Sequence, residues 1–153
     1  MPIAQGAEAA FDAFVDLWGR LRSESEGAVV VVEGERDRRS VRRLGWSGEV
    51  ALVHRGDRLA GVAHALAADR RKVIVLTDWD TEGGQIARRL KEFLAADVTG
   101  LDLDYRRRLA VVLRGEVAHV EGLYGWARRM AEKLGRSLEE VTDDGDGHRE
   151  TTG

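Results

Sequence analysis

The stretch Val73–Ala87 reads VIVLTDWDTEGGQIA. Its short apolar run, Val73 to Leu76, has the β-branched content of a buried strand, and Gly83 and Gly84 mark where a strand gives way to a helix. Between them, acids fall at every second position: Asp78, Asp80 and Glu82. Carboxylates at the C-terminal end of a parallel strand stand where open α/β sheets bind ligands. Three acids within five residues repel one another unless a cation neutralises them, and hard oxygen donors suit magnesium or manganese. The competing reading is a solvated acidic turn with no ligand.

Upstream, Ala28–Val32 carries four consecutive valines, the pattern of a strand buried on both faces. Glu33 follows at once, placing a second carboxylate at a strand end. Gly34 allows a tight turn, and Asp37 is expected to cap the helix that carries Val41 and Leu44 and ends at Gly45. Earlier still, Phe11, Phe14, Val15, Trp18 and Leu21 recur at helical spacing within Ala7–Arg22, an amphipathic helix whose aromatics read as core.

Glu49–His54 is a second strand, and Asp57 caps a helix over Arg58–Ala68. After the acidic stretch a helix runs from about Gly83 to Leu94, with Ile86, Leu90, Phe93 and Leu94 inward. Asp97–Leu103 offers a weak fourth strand. Helices follow over about Tyr105–Leu113 and Val117–Leu134, the latter interrupted near Gly122 and Gly125. Strand and helix alternate four times, which predicts an α/β fold: an open, Rossmann-like sheet of about four mainly parallel strands with helices on both faces.

The expected organisation is an N-terminal helix over residues 1–27, the α/β domain over 28–103, a helical C-terminal extension over 104–141 and a disordered acidic tail over 142–153. A chain of 153 residues is expected to form one domain with a proper core. The absence of cysteine excludes disulfides, thiolate zinc sites and cysteine nucleophiles. No apolar run approaches the ~20 residues that span a bilayer, and no signal-peptide pattern is present, so no membrane contact is expected and the expected location is cytoplasmic. The net charge of -3 does not itself suggest a nucleic-acid partner. From Glu139 onward, however, six acids face one arginine, so the rest of the chain is mildly positive. Most basic residues are arginine, which suits phosphate contacts, although a GC-rich genome gives the same bias.

Taken together, the two strand ends supply Glu33 from one and Asp78 and Asp80 from the other. If these strands are neighbours, the three carboxylates converge at one sheet edge. Asp78 and Asp80 are two apart and face the same way, with Trp79 opposite. One or two divalent ions held there would stabilise an in-line displacement at phosphorus, paired ions lying about 3.5–4 Å apart. Gly83 and Gly84 would leave helix-terminal N–H groups open to a phosphate.

VVVVEGERD and VIVLTDWDTEGGQIA resemble the two signature motifs of the Toprim domain. That catalytic domain is shared by type IA and type II topoisomerases, DnaG-type primases, OLD-family nucleases, RecR and the ribonuclease that matures 5S rRNA. The resemblance covers about Ala28 to Leu103. With the compact size and the later VEGL at Val120–Leu123, the wording is most similar to the small stand-alone Toprim proteins of archaea, whose role is unassigned. The resemblance implies that Glu33 is a metal ligand and general acid or base, and that Asp78 and Asp80 bind Mg2+, with Mn2+ as a substitute. Glu82 corresponds to the third acid of the topoisomerase pattern DxDxEG. Asp37 corresponds to a helix-side acid without assigned chemistry. Tyr105 and Tyr124 lie in predicted helices of a chain too short for a strand-passage gate, and the cysteines of primases and RecR are absent, so those activities are not expected of this chain alone.

Arg36 heads a cluster with Arg38, Arg39, Arg42 and Arg43 just after Glu33, which either faces phosphate, as Gly34 beside it would, or is a solvated helix face. Arg106, Arg107 and Arg108 cannot all point one way on a helix, and of Arg88 and Arg89 one is expected to face solvent. His54 ends a strand near the site edge, whereas His64 and His119 read as lone helical histidines. Trp46 reads as a loop anchor more readily than as a base-stacking platform. The expected function is Mg2+-dependent phosphodiester chemistry on nucleic acid. Hydrolysis is favoured over nucleotidyl transfer because modules for polymerisation are missing. The alternative is a metal-binding nucleic-acid adaptor without turnover, beside a helicase, primase or ribosome-processing partner. A third reading leaves the metal to hold the fold. RNA and DNA are not distinguished, and no protein partner is indicated.

Overall fold

The computed structural model describes residues 2–53, 58–69, 71–94 and 100–143. The chain runs α1 (Pro2–Arg22), β1 (Ala28–Val32), α2 (Glu35–Arg43), β2 (Glu49–Leu52), α3 (Arg58–Asp69), β3 (Lys72–Val75), α4 (Thr81–Leu94), β4 (Leu101–Asp102) and α5 (Asp104–Val112). A 3-10 turn at Val120–Gly122, α6 (Leu123–Lys133) and the short α7 (Glu139–Thr142) complete it. The expected strand at His54 and cap at Asp57, most of the 97–103 stretch before Gly100, and the tail from Asp144 lie outside the described residues.

All four strands are parallel, in the order β2-β1-β3-β4. The neighbours β1 and β3 pair Val31 with Val75, so both strands end at the same edge. Alternation along the strands sends Val30, Val32, Ile74 and Leu76 to one face, where they pack with α1, α2, α5, α6 and α7. Val29, Val31, Val73 and Val75 go to the other, against the apolar stripes of α3 and α4. Two-sided burial is why these strands read as continuous apolar runs.

The aromatics of α1 are core, as expected. Phe11, Phe14, Trp18 and Leu21 are fully buried, Phe14 meets the Trp126 ring edge-on at 5.3 Å, and the Trp18 indole donates to Leu44 O at 2.9 Å. Trp46 is buried and donates to Glu49 O at 3.1 Å, which makes it the loop anchor. Gly45, just past α2, has φ +96°, and a Cβ there would lie 2.5 Å from Thr142 O. Conformation and space both demand glycine at that helix end.

Several local expectations are corrected. Phe93, read as inward, is 43% exposed, and α4 turns Ala87, Leu90 and Leu94 inward instead. The helix expected from Val117 begins only with the 3-10 turn at Val120. The helix after the acidic stretch begins at Thr81, two residues before Gly83, because Asp80 caps it. Gly125 lies inside α6 without interrupting it; only Gly122 marks a break. Asp37 is the third residue of α2 and reaches back from there, its Oδ2 accepting the Gly34 N–H at 3.0 Å.

Candidate metal centre

Asp78 is the junction of the site, and four elements hold it. Its N–H donates to Glu33 Oε2 at 2.8 Å, tying the end of β3 to the end of β1. Its carbonyl accepts from Arg106 Nη2 of α5 at 2.7 Å, while Arg106 Nε donates to Thr77 O at 3.0 Å. Its Oδ1 accepts the Val120 N–H of the 3-10 turn at 2.7 Å. Gly83, in the first turn of α4, lies against its backbone so closely that a Cβ would stand 1.8 Å from Asp78 O.

Asp80 Oδ1 accepts the Gly83 N–H at 2.7 Å, and Asp80 O accepts the Gly84 N–H at 2.9 Å. The expectation of N–H groups open to phosphate at Gly83 and Gly84 is therefore corrected: both are taken by the helix cap. Gly34 is corrected likewise, since its N–H is given to Asp37. Its backbone is extended (φ -154°, ψ -174°), not a tight turn, and space is open where its Cβ would be. Gly34 leaves room beside Glu33.

The other oxygen of Asp80, Oδ2, stands 3.2 Å from His119 Nε2. Donor atoms of Asp78, Asp80 and His119 all lie within 4.8 Å of one another. His119 thus has a partner, contrary to its reading as a lone helical residue; it sits in the loop before the 3-10 turn. Trp79 points away from the acids and is pinned to the same loop, its indole donating to Val117 O at 2.6 Å. Glu33 stands one hydrogen bond from the cluster. Glu82 is exposed on the first turn of α4 and is close enough to raise the Glu33 carboxyl. Arg36 is exposed on α2 and turns toward α6. Arg107 and Arg108 both pair with Asp104, so of the three successive arginines only Arg106 serves the site.

The electrostatics follow from crowding. Burial, with Asp37 and Glu33 nearby, pushes the Asp78 carboxyl up to about 7 against the pull of the Val120 N–H. Burial also raises Glu33, helped by Asp37, Asp80 and Glu82. Asp37, 6% exposed, is raised by burial and by Glu121, although the backbone N–H groups of Gly34, Glu121 and Glu33 hold it. Sequence reading missed Asp37 as a site acid. Its only local sign was an acid at the third helical position, and its approach to Asp78 comes from tertiary packing.

The donor set fits a divalent cation. Each of Asp78, Asp80 and Glu33 gives one oxygen to a backbone N–H and keeps a second, and His119 adds a nitrogen. A cation would also lower the cost of holding raised carboxylates together. Tyr105 is not part of this edge. Its hydroxyl donates to Glu24 at 2.5 Å beside Lys72, at the other end of β3.

Residues 28–112 match the family model described as the Toprim domain. The UPF0292 protein of Methanosarcina acetivorans is 34% identical over 115 residues, covering 75% of this chain and 79% of that protein. The UPF0292 protein of Pyrococcus furiosus is 37% identical over 114 residues, covering 74% and 83%. That of Archaeoglobus fulgidus is 33% identical over 125 residues, covering 79% and 94%. A solved structure of a protein from Aquifex aeolicus superposes with a TM-score of 0.58 at 30% identity, covering 69% of this chain and 94% of that one. His119, Val120 and Glu121 lie beyond residue 112, so the matched domain is joined at its acidic edge by a loop from outside the match.

Proposed function

We propose, since the chain belongs to the Toprim domain family, that it performs Mg2+-dependent phosphodiester hydrolysis on a nucleic acid, with Mn2+ as a substitute. The observation that carries this reading is the convergence of Glu33 with Asp78 and Asp80 at the C-terminal ends of the adjacent parallel strands β1 and β3. Asp78, Asp80 and Glu33 would hold the ion, with His119 as a nitrogen donor. Glu82, whose charge reaches Glu33, would serve as an outer acid of the site. A divalent ion bound there supplies charge neutralisation at the phosphate and a more acidic bound water.

The chain's own residues do the rest. Arg106 and the Val120 N–H fix Asp78, so its free oxygen is aimed before any ligand arrives. Asp80 is held by its own helix cap. Glu33, whose carboxyl is raised from its ordinary value by burial, would hold or release a proton at Oε1 when that oxygen is not bound to the ion. Asp80 and His119 side chains are 37% and 54% exposed, so water reaches the reacting edge. That access favours hydrolysis over transfer to a second nucleotide. Among the described residues no helix is long and apolar enough to cross a membrane; the proposed place of action is the cytoplasm.

The test is single-turnover incubation of a structured RNA and a single-stranded DNA with Mg2+ or Mn2+, using wild type and Asp80→Asn. Cleavage by wild type that is lost in Asp80→Asn, with melting unchanged, supports the reading. Equal cleavage by both proteins overturns the assignment of the site. Binding of nucleic acid with no product under either ion replaces hydrolysis with an adaptor role.

A further inference from the structure

A groove of about 370 Å3 runs between α2 and α6. Arg36, Arg39 and Arg43 form one wall and Arg128 the other. The spacing of the first three, i, i+3 and i+7, sets them in one row along α2. Gly125 leaves part of the lining without a side chain. The two walls are tied together: the Tyr124 N–H donates to Ser40 Oγ at 3.3 Å, and the Arg43 guanidinium lies 4.9 Å over the Tyr124 ring.

What distinguishes this groove is the clustering of charge, because among the described residues Arg88, Arg89, Arg114 and Arg129 also lack a carboxylate partner but do not line it. Arg20, Arg38, Arg71, Arg107, Arg108 and Arg136 each pair with a carboxylate. Among the described residues, none of the four groove arginines does. Four exposed guanidiniums turned toward one groove repel one another, and the arrangement is relieved by an anion with several charges in a row. The groove also joins the metal centre through the chain itself. Glu121 lines it, and the Glu121 backbone N–H holds Asp37 while the preceding Val120 N–H holds Asp78.

We propose that the α2–α6 groove binds one nucleic-acid strand by successive phosphates and leads it to the acidic edge. This rests on the nucleic-acid reading of the site. A groove of about 370 Å3 lined on both sides has room for part of one sugar–phosphate chain, which favours a single strand over a duplex. Glu121 stands where the basic groove meets the acids, so phosphate is held by the arginines up to that point and depends on a cation beyond it. Arg128 and Tyr124 lie outside the matched Toprim residues, so this strand path is built jointly by the domain and the helix that follows it.

The experiment is fluorescence anisotropy of labelled 12-nucleotide single strands, RNA and DNA, across a salt series in chelator. Each neutralised phosphate on a single strand contributes about 0.7 to the slope of log K against log salt. Arg39→Ala/Arg128→Ala is therefore expected to lower the slope by about 1.4. Arg39→Lys/Arg128→Lys, which keeps the charges, should retain it and serves if the alanine variant melts early. Arg88→Ala/Arg89→Ala, on exposed positions of α4, should bind as wild type. The proposal is overturned if wild type binds no strand, if the groove variant keeps the full slope, or if a hairpin duplex or a mononucleotide binds as tightly as the strand. Cleavage of the same strands separates this from the catalytic reading. Groove-dependent binding without any product leaves the groove standing and removes hydrolysis. Cleavage that Arg39→Ala/Arg128→Ala leaves untouched removes the groove and keeps hydrolysis.

Discussion

Gly83 and Gly84 look interchangeable in the sequence, and the structure predicts opposite outcomes for replacing them. A Cβ on Gly83 would lie 1.8 Å from Asp78 O, 2.6 Å from Asp78 C and 2.9 Å from Asp78 N. These are backbone atoms of the residue that anchors the site, so no rotamer change relieves the clash. Either the first turn of α4 or the end of β3 must move. Overpacking of this kind costs about 1–3 kcal/mol by itself. The shift also disturbs the Asp80 cap on the Gly83 N–H and the bond from the buried Thr77 hydroxyl to Gly83 O, each worth about 1 kcal/mol. Gly83→Ala should therefore lose about 3–5 kcal/mol and lower Tm on the order of 10 °C. It should also weaken divalent-ion binding, because Asp78 and Asp80 move with the turn. At Gly84 the nearest atom to an added Cβ is Arg106 Nη2, at 3.5 Å, an ordinary contact. Gly84→Ala should be tolerated, with up to about 1 kcal/mol gained from helix propensity. Thermal melts and a Mn2+ titration by calorimetry on both variants decide the matter. A Gly83→Ala protein that melts and binds metal like wild type would falsify the close approach on which the site's description rests.

Asp80→Asn keeps an oxygen for the Gly83 N–H and should melt within about 0.5 kcal/mol of wild type while losing divalent-ion binding, whereas Asp80→Ala should also lose the cap, about 1 kcal/mol; equal ion affinity in Asp80→Asn and wild type counts against the cluster. The pH dependence follows from Asp78, whose carboxyl is raised from 3.8 to about 7. Its protonated form stabilises the fold fully below pH about 4, and that contribution is lost as pH rises through about 7. Between those values the slope is at most about 1.4 kcal/mol per pH unit, and partial solvation of the site narrows the window over which it applies. Metal-free protein should thus melt higher at pH 5 than at pH 8, with the difference reduced in Asp78→Asn, and a melting temperature that rises over that range contradicts the raised carboxyls. His119→Ala should weaken Ni2+ or Zn2+ binding more than Mg2+ binding, because imidazole favours the former ions; a uniform loss across the ions in calorimetry places His119 outside the ligand set.

The strands and the three motif acids were legible because each leaves a local mark. Two-sided burial makes β1 and β3 run apolar over four or five residues, and a carboxylate directly after such a run has few places to be except the sheet edge. The α1 core stripe was legible for the same reason, since its burial repeats within one element. The Val120 N–H, by contrast, reaches Asp78 across 42 residues, and it is a backbone group that no residue type announces. His119 was misread because its local pattern is that of the helix that follows, while its partner Asp80 is set by where the loop lands. The Gly-Gly pair was misread because an open helix N-terminus and a capped one share a sequence, and only the position of Asp80 distinguishes them.

Arg106 explains how so acidic a site can fold before any ion arrives without becoming closed to one. Its guanidinium is half-buried, and burial lowers its pKa while the charges of Asp80, Glu33 and Asp78 raise it. Had it formed an ion pair with one of those carboxylates, it would have neutralised the site and competed with a cation for the same oxygens. Instead its donors go to the carbonyls of Thr77 and Asp78. The positive charge thus offsets part of the repulsion through space, while the carboxylate oxygens are left for ligands. The offset is incomplete, as the raised carboxyls of Asp78, Glu33 and Asp37 show. A small, doubly charged ion would complete it, and the arginine that makes the acidic edge tolerable without one leaves the carboxylate oxygens open to such an ion.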